Sequence, residues 1–417
     1  MEEPRPGPEE AGDARQREAP GPGVEVPPVL VVTNDFPPRV GGVQQYVWNL
    51  VRRLPPDRVA VLAPNWPGWR EHDARLAFPV YRWPSRFIWP GRDLERRVRS
   101  LARAHGAEVV LFTQGMPAPL VVPALAERGL RAVVMTHGFE YFQAVLPGTG
   151  ALLRRALGRA RWVTAVSRAM ARAIARVLPP GVPLSVLHPG VDEDRFSPRV
   201  DGRPVRERLG LDDRPVVVCV SRLVRRKGQD VLIRSMGLLR RLVPEAVLLL
   251  VGDGPDRAWL RALAAEAPLG SVVFAGEVPD EELPAYHAAG DVFAMPCRSR
   301  WGGLEAEGFG IVYLEAQATG RPVVAGRSGG AAEAIEDGRT GLLVEGGEPK
   351  AVGLAVARLL LDPPLAREMG AAGRARVEAG FTWDRQARRL AEILRRAAGE
   401  GARPSAPARR AAPGGGR

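Results

Sequence analysis

Short apolar runs alternate with longer amphipathic stretches along most of the chain. The short runs lack polar alternation, which is typical of strands buried on both faces of a parallel sheet. Twelve such runs are visible: PVLVVT, VAVLAP, EVVLFT, AVVMTHG, WVTAVS, LSVLHPG, PVVVCVSR, AVLLLVGDG, SVVFAGEV, DVFAMPC, RPVVAG and TGLLVEG. Stretches between them, such as QQYVWNLVRRL and GQDVLIRSMGLLRRLV, repeat apolar residues with helical spacing. The pattern predicts an α/β protein built from doubly wound parallel sheets.

The alternation breaks at residues 188–215, which are dense in Gly, Pro, Asp and Arg. We place the junction of two domains there, because a chain of 417 residues exceeds what a single hydrophobic core usually organises. The predicted domains are 27–195 and 196–380, both Rossmann-like. Two such domains enclose a cleft, and ligands of doubly wound sheets bind beyond the carboxyl ends of the strands. The acidic triplet DED at 192–194 lies in the junction, and we expect it to bind no metal.

The two ends of the chain differ in composition from the rest. Residues 1–26 and 398–417 are rich in Pro, Gly, Ala and Arg and lack periodic apolar positions, which predicts disordered tails. Residues 381–397 are predicted to form a helical segment that packs back toward the first domain.

Composition favours a globular protein outside the membrane. A hydrophobic content of 45% with 25% charged residues is ordinary for such proteins. The chain has no apolar stretch of the roughly 18 residues that a transmembrane helix needs, and its acidic, proline-rich start is unlike a signal peptide. Cys219 and Cys297 have neither the spacing of a disulfide framework nor that of metal ligands. We therefore expect a cytoplasmic protein.

The net charge of +12 raises the possibility of an anionic partner. No nucleic-acid-binding motif is visible, so binding to nucleic acid is the less favoured interpretation. Residues 141–191 contain no acidic residue, although they carry seven arginines: Arg154, Arg155, Arg159, Arg161, Arg168, Arg172 and Arg176. Phe87, Ile88 and Trp89 also adjoin the basic stretch GRDLERRVRS. Cationic and apolar residues side by side predict a peripheral contact with the inner, anionic face of a membrane.

Two features of the first half point to a ligand in the cleft. In TNDFPPRVGGVQQYVWNL, Gly41 and Gly42 separate the first strand from a helix. A glycine pair at that place lets an anion approach the backbone and the free N–H groups of the helix start. His137, in VVMTHGFE, ends a predicted strand at the same edge of the sheet.

Lysine is rare in this chain. Of 59 Lys and Arg residues only Lys227 and Lys350 are lysines, so the other 57 are arginines. Lys227 lies in SRLVRRKGQD, after a predicted strand of the second domain, together with Arg222. A lysine is a compact point charge and an arginine a planar fork, so a site that requires the compact charge would retain the lysine. We expect Arg222 and Lys227 to bind a diphosphate, and Arg225 and Arg226 to be solvated.

Two glutamates flank a glycine-rich loop in EAEGFGIVYLEAQATG. Glu307 lies before Gly308 and Gly310, and Glu315 lies on a helix predicted from near Ile311. Eight residues of helix span about 12 Å. The two catalytic carboxyl groups of a glycosidase are only roughly 5 to 9.5 Å apart. We therefore expect the two carboxylates to accept hydrogen bonds from different hydroxyl groups. The N–H groups at 309–312 would suit a phosphate.

These four stretches, in this order, resemble the retaining family 4 glycosyltransferases of the GT-B fold, over about residues 28–395. Within that family, TNDFPPRVGGVQQYV, VCVSRLVRRKGQD and ELPAYHAAGDVFAMPCRSRWGGLEAEGFGIVYLEA look most like the actinobacterial phosphatidylinositol mannosyltransferases. The resemblance implies two Rossmann-like domains facing across a cleft. It also implies transfer of a hexose, mannose from GDP-mannose, to a phosphatidylinositol mannoside-type lipid, without a metal ion or another cofactor.

The resemblance also implies roles for individual residues. Catalysis would involve His137 near the transferred sugar, Arg222 and Lys227 at the diphosphate, and Glu307 at the sugar hydroxyls. Glu315 would bind the ribose and Val278 would border the base. The remaining donor-binding positions are Gly41, Gly42, Gly308, Phe309, Gly310, Ile311 and Val312. Attack from the front face of the sugar would need no protein nucleophile. One alternative is another nucleotide sugar with a soluble acceptor; the other is a basic nucleic-acid-binding protein.

Overall fold

Two parallel β-sheets organise the computed structural model, which describes residues 25–399 apart from the side chains at 139, 141 and 147. The first sheet contains β1 (Val29–Val32), β2 (Val59–Pro64), β3 (Val80–Trp83), β4 (Val109–Phe112), β5 (Arg131–Thr136), β6 (Trp162–Ala165) and β7 (Leu184–Val186). Their order is β3-β2-β1-β4-β5-β6-β7.

The second sheet contains β8 (Val216–Val220), β9 (Val247–Val251), β10 (Val272–Gly276), β11 (Val292–Met295), β12 (Val323–Gly326) and β13 (Gly341–Val344). Their order is β10-β9-β8-β11-β12-β13. In both sheets the order reverses beside the first strand of the domain, and such a switch point is where a doubly wound fold binds its ligand.

Helices connect the strands and cover the sheets. The first domain has α1 (Gly42–Val51), α2 (Trp69–Asp73), α3 (Arg92–Ala104), α4 (Val122–Ala126), α5 (Phe139–Val145), α6 (Pro147–Leu157) and α7 (Arg168–Ala175). The second half has α8 (Arg203–Leu209), α9 (Gln229–Leu242), α10 (Arg257–Ala264), α11 (Leu283–Ala289), α12 (Ile311–Ala318), α13 (Ala331–Ala334), α14 (Pro349–Leu361), α15 (Pro363–Gly380) and α16 (Trp383–Ala398). No helix within residues 25–399 is long and apolar enough to cross a membrane.

The predicted α/β class is confirmed, and the reason lies in burial on both faces. Val29 and Val31 of β1 belong to one core cluster, whereas Leu30 and Val32 belong to the cluster on the opposite face. A strand in this position has no polar face, so its sequence is an uninterrupted apolar run.

Strand β3 was missed by the sequence pattern. It lies at the edge of the first sheet, and all four of its residues are half-buried. Arg82 interrupts its apolar residues and pairs with Asp73 at 2.6 Å. An edge strand with one partly solvated face needs no continuous apolar run, so this strand resembled a loop.

The segment predicted as the domain junction, 188–215, packs against both domains. It contains α8, and Phe196, Val205 and Leu211 are buried in the core of the second domain. Val191 forms a bridge with Thr382. Isolated apolar residues among Gly, Pro and charged residues carry no periodicity, although each one packs against a neighbouring element.

The last helix returns to the first domain. In α16, Trp383, Leu390 and Leu394 belong to the same core cluster as β1 and α1. Val26 and Ala398 are also buried there, at 7% and 6% exposure, so the predicted tails extended too far at these two residues. Residues 1–24 and 400–417, which make up the rest of those tails, lie outside the described residues.

Candidate functional site

The two domains touch where the loop after β5 meets the loop after β11. A Cβ atom on Gly308 would lie 2.6 Å from the carbonyl oxygen of His137, a distance that no side chain tolerates. Gly310 has φ 89°, which favours glycine, and directly precedes α12. Only glycine therefore allows this loop to lie so close to the first domain.

Glu307 is the central carboxylate of this region. It is 8% exposed, and its Oε2 accepts a hydrogen bond from Lys227 Nζ at 2.8 Å and from the Arg226 guanidinium. Cys297 Sγ lies 3.6 Å from the same oxygen. Burial alone would raise the pKa of Glu307, but Lys227 and Arg226 outweigh it and hold that pKa below its usual value. The carboxylate is therefore ionised at neutral pH.

The expectation that Arg226 is merely solvated is wrong. Its side chain is 28% exposed and pairs with Glu307 as well as, at 3.9 Å, with Glu305. Arg225 is engaged too, because its guanidinium lies 3.2 Å from the ring centroid of Trp259. A single helical turn at Arg225–Lys227 directs neighbouring residues to different partners, which a run of three cations does not reveal.

The two cations predicted to bind diphosphate differ in environment. Lys227 is 9% exposed and is paired with Glu307. Arg222 is exposed, and within residues 25–399 its side chain makes no ion pair. An ammonium group has three N–H donors, so Lys227 can hold Glu307 and still donate to a ligand.

Glu315 projects from α12, as the sequence predicted, and has a partner that the sequence did not suggest. His287 Nε2 lies 3.2 Å from Glu315 Oε2, and because a carboxylate only accepts, the ring nitrogen donates. His287 is fully buried and stacks on Phe293 with ring centroids 5.4 Å apart. This stacking fixes the ring and thereby orients Glu315.

The start of α12 presents N–H groups that lack partners within the helix, as every helix start does. Ile311 and Val312 form its first turn and are half-buried. The side chain of Phe309 is 3% exposed and packs against His188 of the first domain, with ring centroids 5.0 Å apart. Phe309 can therefore contribute only its backbone to a donor, since its ring packs between the domains.

His137 is held on both sides. Its Nε2 donates to the Thr113 carbonyl at 2.6 Å, since a carbonyl oxygen only accepts. The carboxylate of Glu140, 4% exposed, accepts hydrogen bonds from the backbone N–H groups of His137, Gly138 and Gly115 at 3.0, 3.1 and 2.8 Å. Glu140 is a positioning residue that the sequence did not single out, because its partners are backbone groups.

The remaining predicted donor positions lie at the start of α1 and after β10. Gly42 opens α1 and is exposed, and a Cβ atom there would meet nothing within 4 Å. Gly41 precedes it with an extended backbone. Val278 follows β10, is half-buried and packs on the hydrophobic core of the second domain.

A second carboxylate joins the domains beside this site. Glu333, at α13, accepts hydrogen bonds from the N–H groups of Arg168 and Ala169, both at 2.8 Å. These groups begin α7 of the first domain, where a negative charge is favoured. Sequence reasoning did not identify Glu333, because nothing around it forms a motif.

Contact of the basic surface with a membrane stays a prediction, and the exposure of its residues can be compared with it. All seven arginines of residues 141–191 are exposed, and so is Trp89 at 65%. The prediction that Ile88 joins this surface is wrong. Its side chain is fully buried, and its N–H donates to Asn34 Oδ1 at 2.7 Å.

Comparison with protein families identifies both halves of the chain. The family described as Glycosyltransferase Family 4 matches residues 40–195. The family described as Glycosyl transferases group 1 matches residues 203–376.

Two relatives match nearly the whole chain. The GDP-mannose-dependent alpha-(1-6)-phosphatidylinositol monomannoside mannosyltransferase of Mycolicibacterium smegmatis is 47% identical over 373 residues, 88% of this chain and 98% of the relative. The GDP-mannose-dependent monoacylated alpha-(1-6)-phosphatidylinositol monomannoside mannosyltransferase of Corynebacterium glutamicum is 38% identical over 371 residues, 88% and 97% of the two chains. The resemblance inferred from the motifs is confirmed.

Among solved structures, Anabaena HepE in complex with UDP superposes with a TM-score of 0.73. It is 23% identical and covers 88% of this chain and 99% of its own. That similarity concerns the fold, and it agrees with the predicted GT-B architecture.

Proposed function

This chain belongs to the glycosyltransferases, as its 47% identical relative and the two matched domain families show, and we propose that it transfers mannose from GDP-mannose to a phosphatidylinositol mannoside-type lipid. The donor and acceptor named for the two relatives support the substrates. The observation that carries the reaction type is the cluster of Glu307, Lys227 and Arg226 at the contact between the domains.

Charge on the leaving diphosphate decides the rate of such a transfer. The bond from the anomeric carbon to the donor phosphate breaks while the acceptor oxygen bonds to that carbon on the same face. The acceptor proton passes to the leaving phosphate oxygen. Lys227, Arg222 and the N–H groups at the start of α12 supply preorganised positive charge for this phosphate. We propose that these cations suffice without a metal ion.

The rest of the site would orient the donor. Glu315, held by His287, would accept hydrogen bonds from the ribose hydroxyls, and Val278 would border the base. Glu307 would accept from sugar hydroxyls, and His137 Nδ1 would face the transferred sugar. A lipid acceptor requires membrane contact, which the exposed arginines and Trp89 support.

The direct experiment offers the purified chain GDP-mannose, GDP-glucose, UDP-glucose and UDP-mannose, each with one of two acceptors. These are phosphatidylinositol monomannoside in anionic liposomes and soluble inositol phosphate. We expect transfer from GDP-mannose to the lipid, unaffected by EDTA. Preferred transfer to the soluble acceptor, or from another nucleotide sugar, would establish the alternative enzyme. Steeply salt-dependent DNA binding without any sugar transfer would refute the enzymatic proposal.

A single substitution tests whether Glu315 belongs to the donor-binding site. Glu315→Gln removes one charged acceptor from the ribose and should weaken GDP-mannose binding by about 1 to 3 kcal/mol in calorimetry. Glu368→Gln, an exposed change on α15, is the control and should bind like the wild type. Unchanged binding by Glu315→Gln would remove that residue from the site.

A further inference from the structure

Arg226 brings a second cation to Glu307, and the proposed reaction gives it no task. That reaction places Lys227 at the diphosphate and Glu307 at the sugar. The sequence predicted that Arg226 is solvated, yet its side chain is only 28% exposed and contacts Glu307 Oε2. Removing a guanidinium from water is unfavourable unless its charge is paired, so this contact is the one that explains its position.

One oxygen of Glu307 receives both cations. Lys227 Nζ lies 2.8 Å from Oε2, and the Arg226 guanidinium contacts the same atom. Lys227 is 9% exposed and Glu307 is 8% exposed, so water and salt screen these charges little. A lysine that faced Glu307 alone would form a neutral pair in this buried position. Such a pair would attract a second anion only weakly.

The neighbouring carboxylate, Glu305, has a cation of its own. Its Oε2 accepts from Arg300 at 3.0 Å, whereas Arg226 Nε lies 3.9 Å from its Oε1. The shorter contact of Arg226 is therefore the one with Glu307. Because Arg300 balances Glu305 and Arg226 balances Glu307, the positive charge of Lys227 is left without an anion.

The backbone holds Arg226 beside the loop that carries Glu307. The carbonyl of Arg226 accepts a hydrogen bond from the N–H of Arg298 at 2.9 Å, on that loop after β11. The preceding Arg225 contacts a different element, since its guanidinium lies 3.2 Å from the ring centroid of Trp259 on α10. Of these two adjacent arginines, Arg226 is the one that contacts Glu307. The pair therefore supplies a variant and its matched control.

We propose that Arg226 is a positioning residue of the donor site, which neutralises Glu307 so that the positive charge of Lys227 remains available to the diphosphate. Arg226 acts through these two residues and makes no contact of its own with the donor. This inference rests on the proposed function, since its ligand is the nucleoside diphosphate of that function's donor.

The test compares GDP, measured by calorimetry, with guanosine, which lacks the diphosphate and is measured by ligand-observed NMR. We expect Arg226→Gln to weaken GDP binding about tenfold, as loss of one charged contact does, and to leave guanosine binding unchanged. Arg226→Lys keeps the charge and should restore most of the affinity for GDP. Arg225→Gln removes a charge from the same turn and should bind GDP like the wild type. Equal weakening by Arg225→Gln would overturn the inference, because net charge alone would then explain it.

A double substitution shows whether Arg226 acts through Glu307. In a Glu307→Gln background no carboxylate competes for Lys227, so adding Arg226→Gln should weaken GDP binding by less than about twofold. An equal tenfold loss in both backgrounds would overturn the inference, because Arg226 would then contact the diphosphate directly. Weaker guanosine binding by Arg226→Gln would also overturn it, since the effect would then be a general structural one.

The remaining outcomes separate this inference from the proposed function. Should circular dichroism show that Arg226→Gln does not fold, Glu307→Gln alone decides. It removes the competing anion and should bind GDP at least as tightly as the wild type, and weaker binding would overturn the inference. Wild-type affinity for GDP in folded Arg226→Gln would do the same and leave the function intact. If the wild type bound neither GDP nor GDP-mannose, the proposed function would fail first.

Discussion

Replacing Lys227 by arginine tests whether the site requires a compact cation. The substitution keeps the charge but inserts a planar head into a buried position, where Lys227 is 9% exposed. Oε2 of Glu307 already accepts from Lys227 at 2.8 Å, and the Arg226 guanidinium contacts the same oxygen. The backbone is equally crowded, since a Cβ atom on the following Gly228 would lie 2.2 Å from the carbonyl oxygen of Pro296.

The expected loss follows from this crowding. A larger side chain in a well-packed region costs about 1 to 3 kcal/mol, and displacing Glu307 or Arg226 would misalign the groups that face the donor. If about 1.4 kcal/mol of that cost is added to the activation free energy, turnover falls tenfold. We therefore expect Lys227→Arg to lower kcat by at least about tenfold.

The assay compares kcat of Lys227→Arg with that of the wild type at saturating GDP-mannose and acceptor. Circular dichroism and urea unfolding confirm that the variant is folded. Lys350→Arg, an exposed change at the start of α14, is the control and should have wild-type kcat. A folded Lys227→Arg enzyme with wild-type kcat would refute the requirement for a compact cation.

Three further predictions concern residues that the tertiary structure revealed. His287→Phe keeps a ring on Phe293 but removes the donor to Glu315, so calorimetry should show roughly tenfold weaker GDP-mannose binding; unchanged affinity would make His287 a packing residue only. Glu333→Gln removes a charge from the start of α7, and urea unfolding should show a free energy of unfolding lower by about 1 kcal/mol; no change would contradict the interdomain contact. Burial lowers the pKa of His188 from its usual 6.5, so its contribution to stability is complete above pH 6.5 and is lost as the pH falls through the lower folded value. His188→Phe should therefore lose less stability between pH 7 and 5 than the wild type, and equal losses in thermal unfolding would exclude His188 as the cause.

The sequence by itself determined the class of fold and most of its strands. Parallel strands such as β1 and β8 are buried on both faces, so consecutive apolar residues predict them directly. The sequence also indicated Gly308 and Gly310, because their role depends on local backbone geometry. It indicated Lys227 as well, because lysine is rare in this chain. The edge strand β3 and helix α8 were missed, since neither shows a continuous apolar pattern.

The tertiary structure alone decided which side chains meet. Arg226 and Glu307 are 81 residues apart, Glu140 and Gly115 are 25 apart, and Glu333 reaches Arg168 over 165 positions. Periodicity reports only which face of an element is buried, and it carries no information about pairs brought together by sheet order and domain packing. The partners of the predicted site residues therefore emerge only when the two sheets and the loops at their carboxyl ends are placed in space.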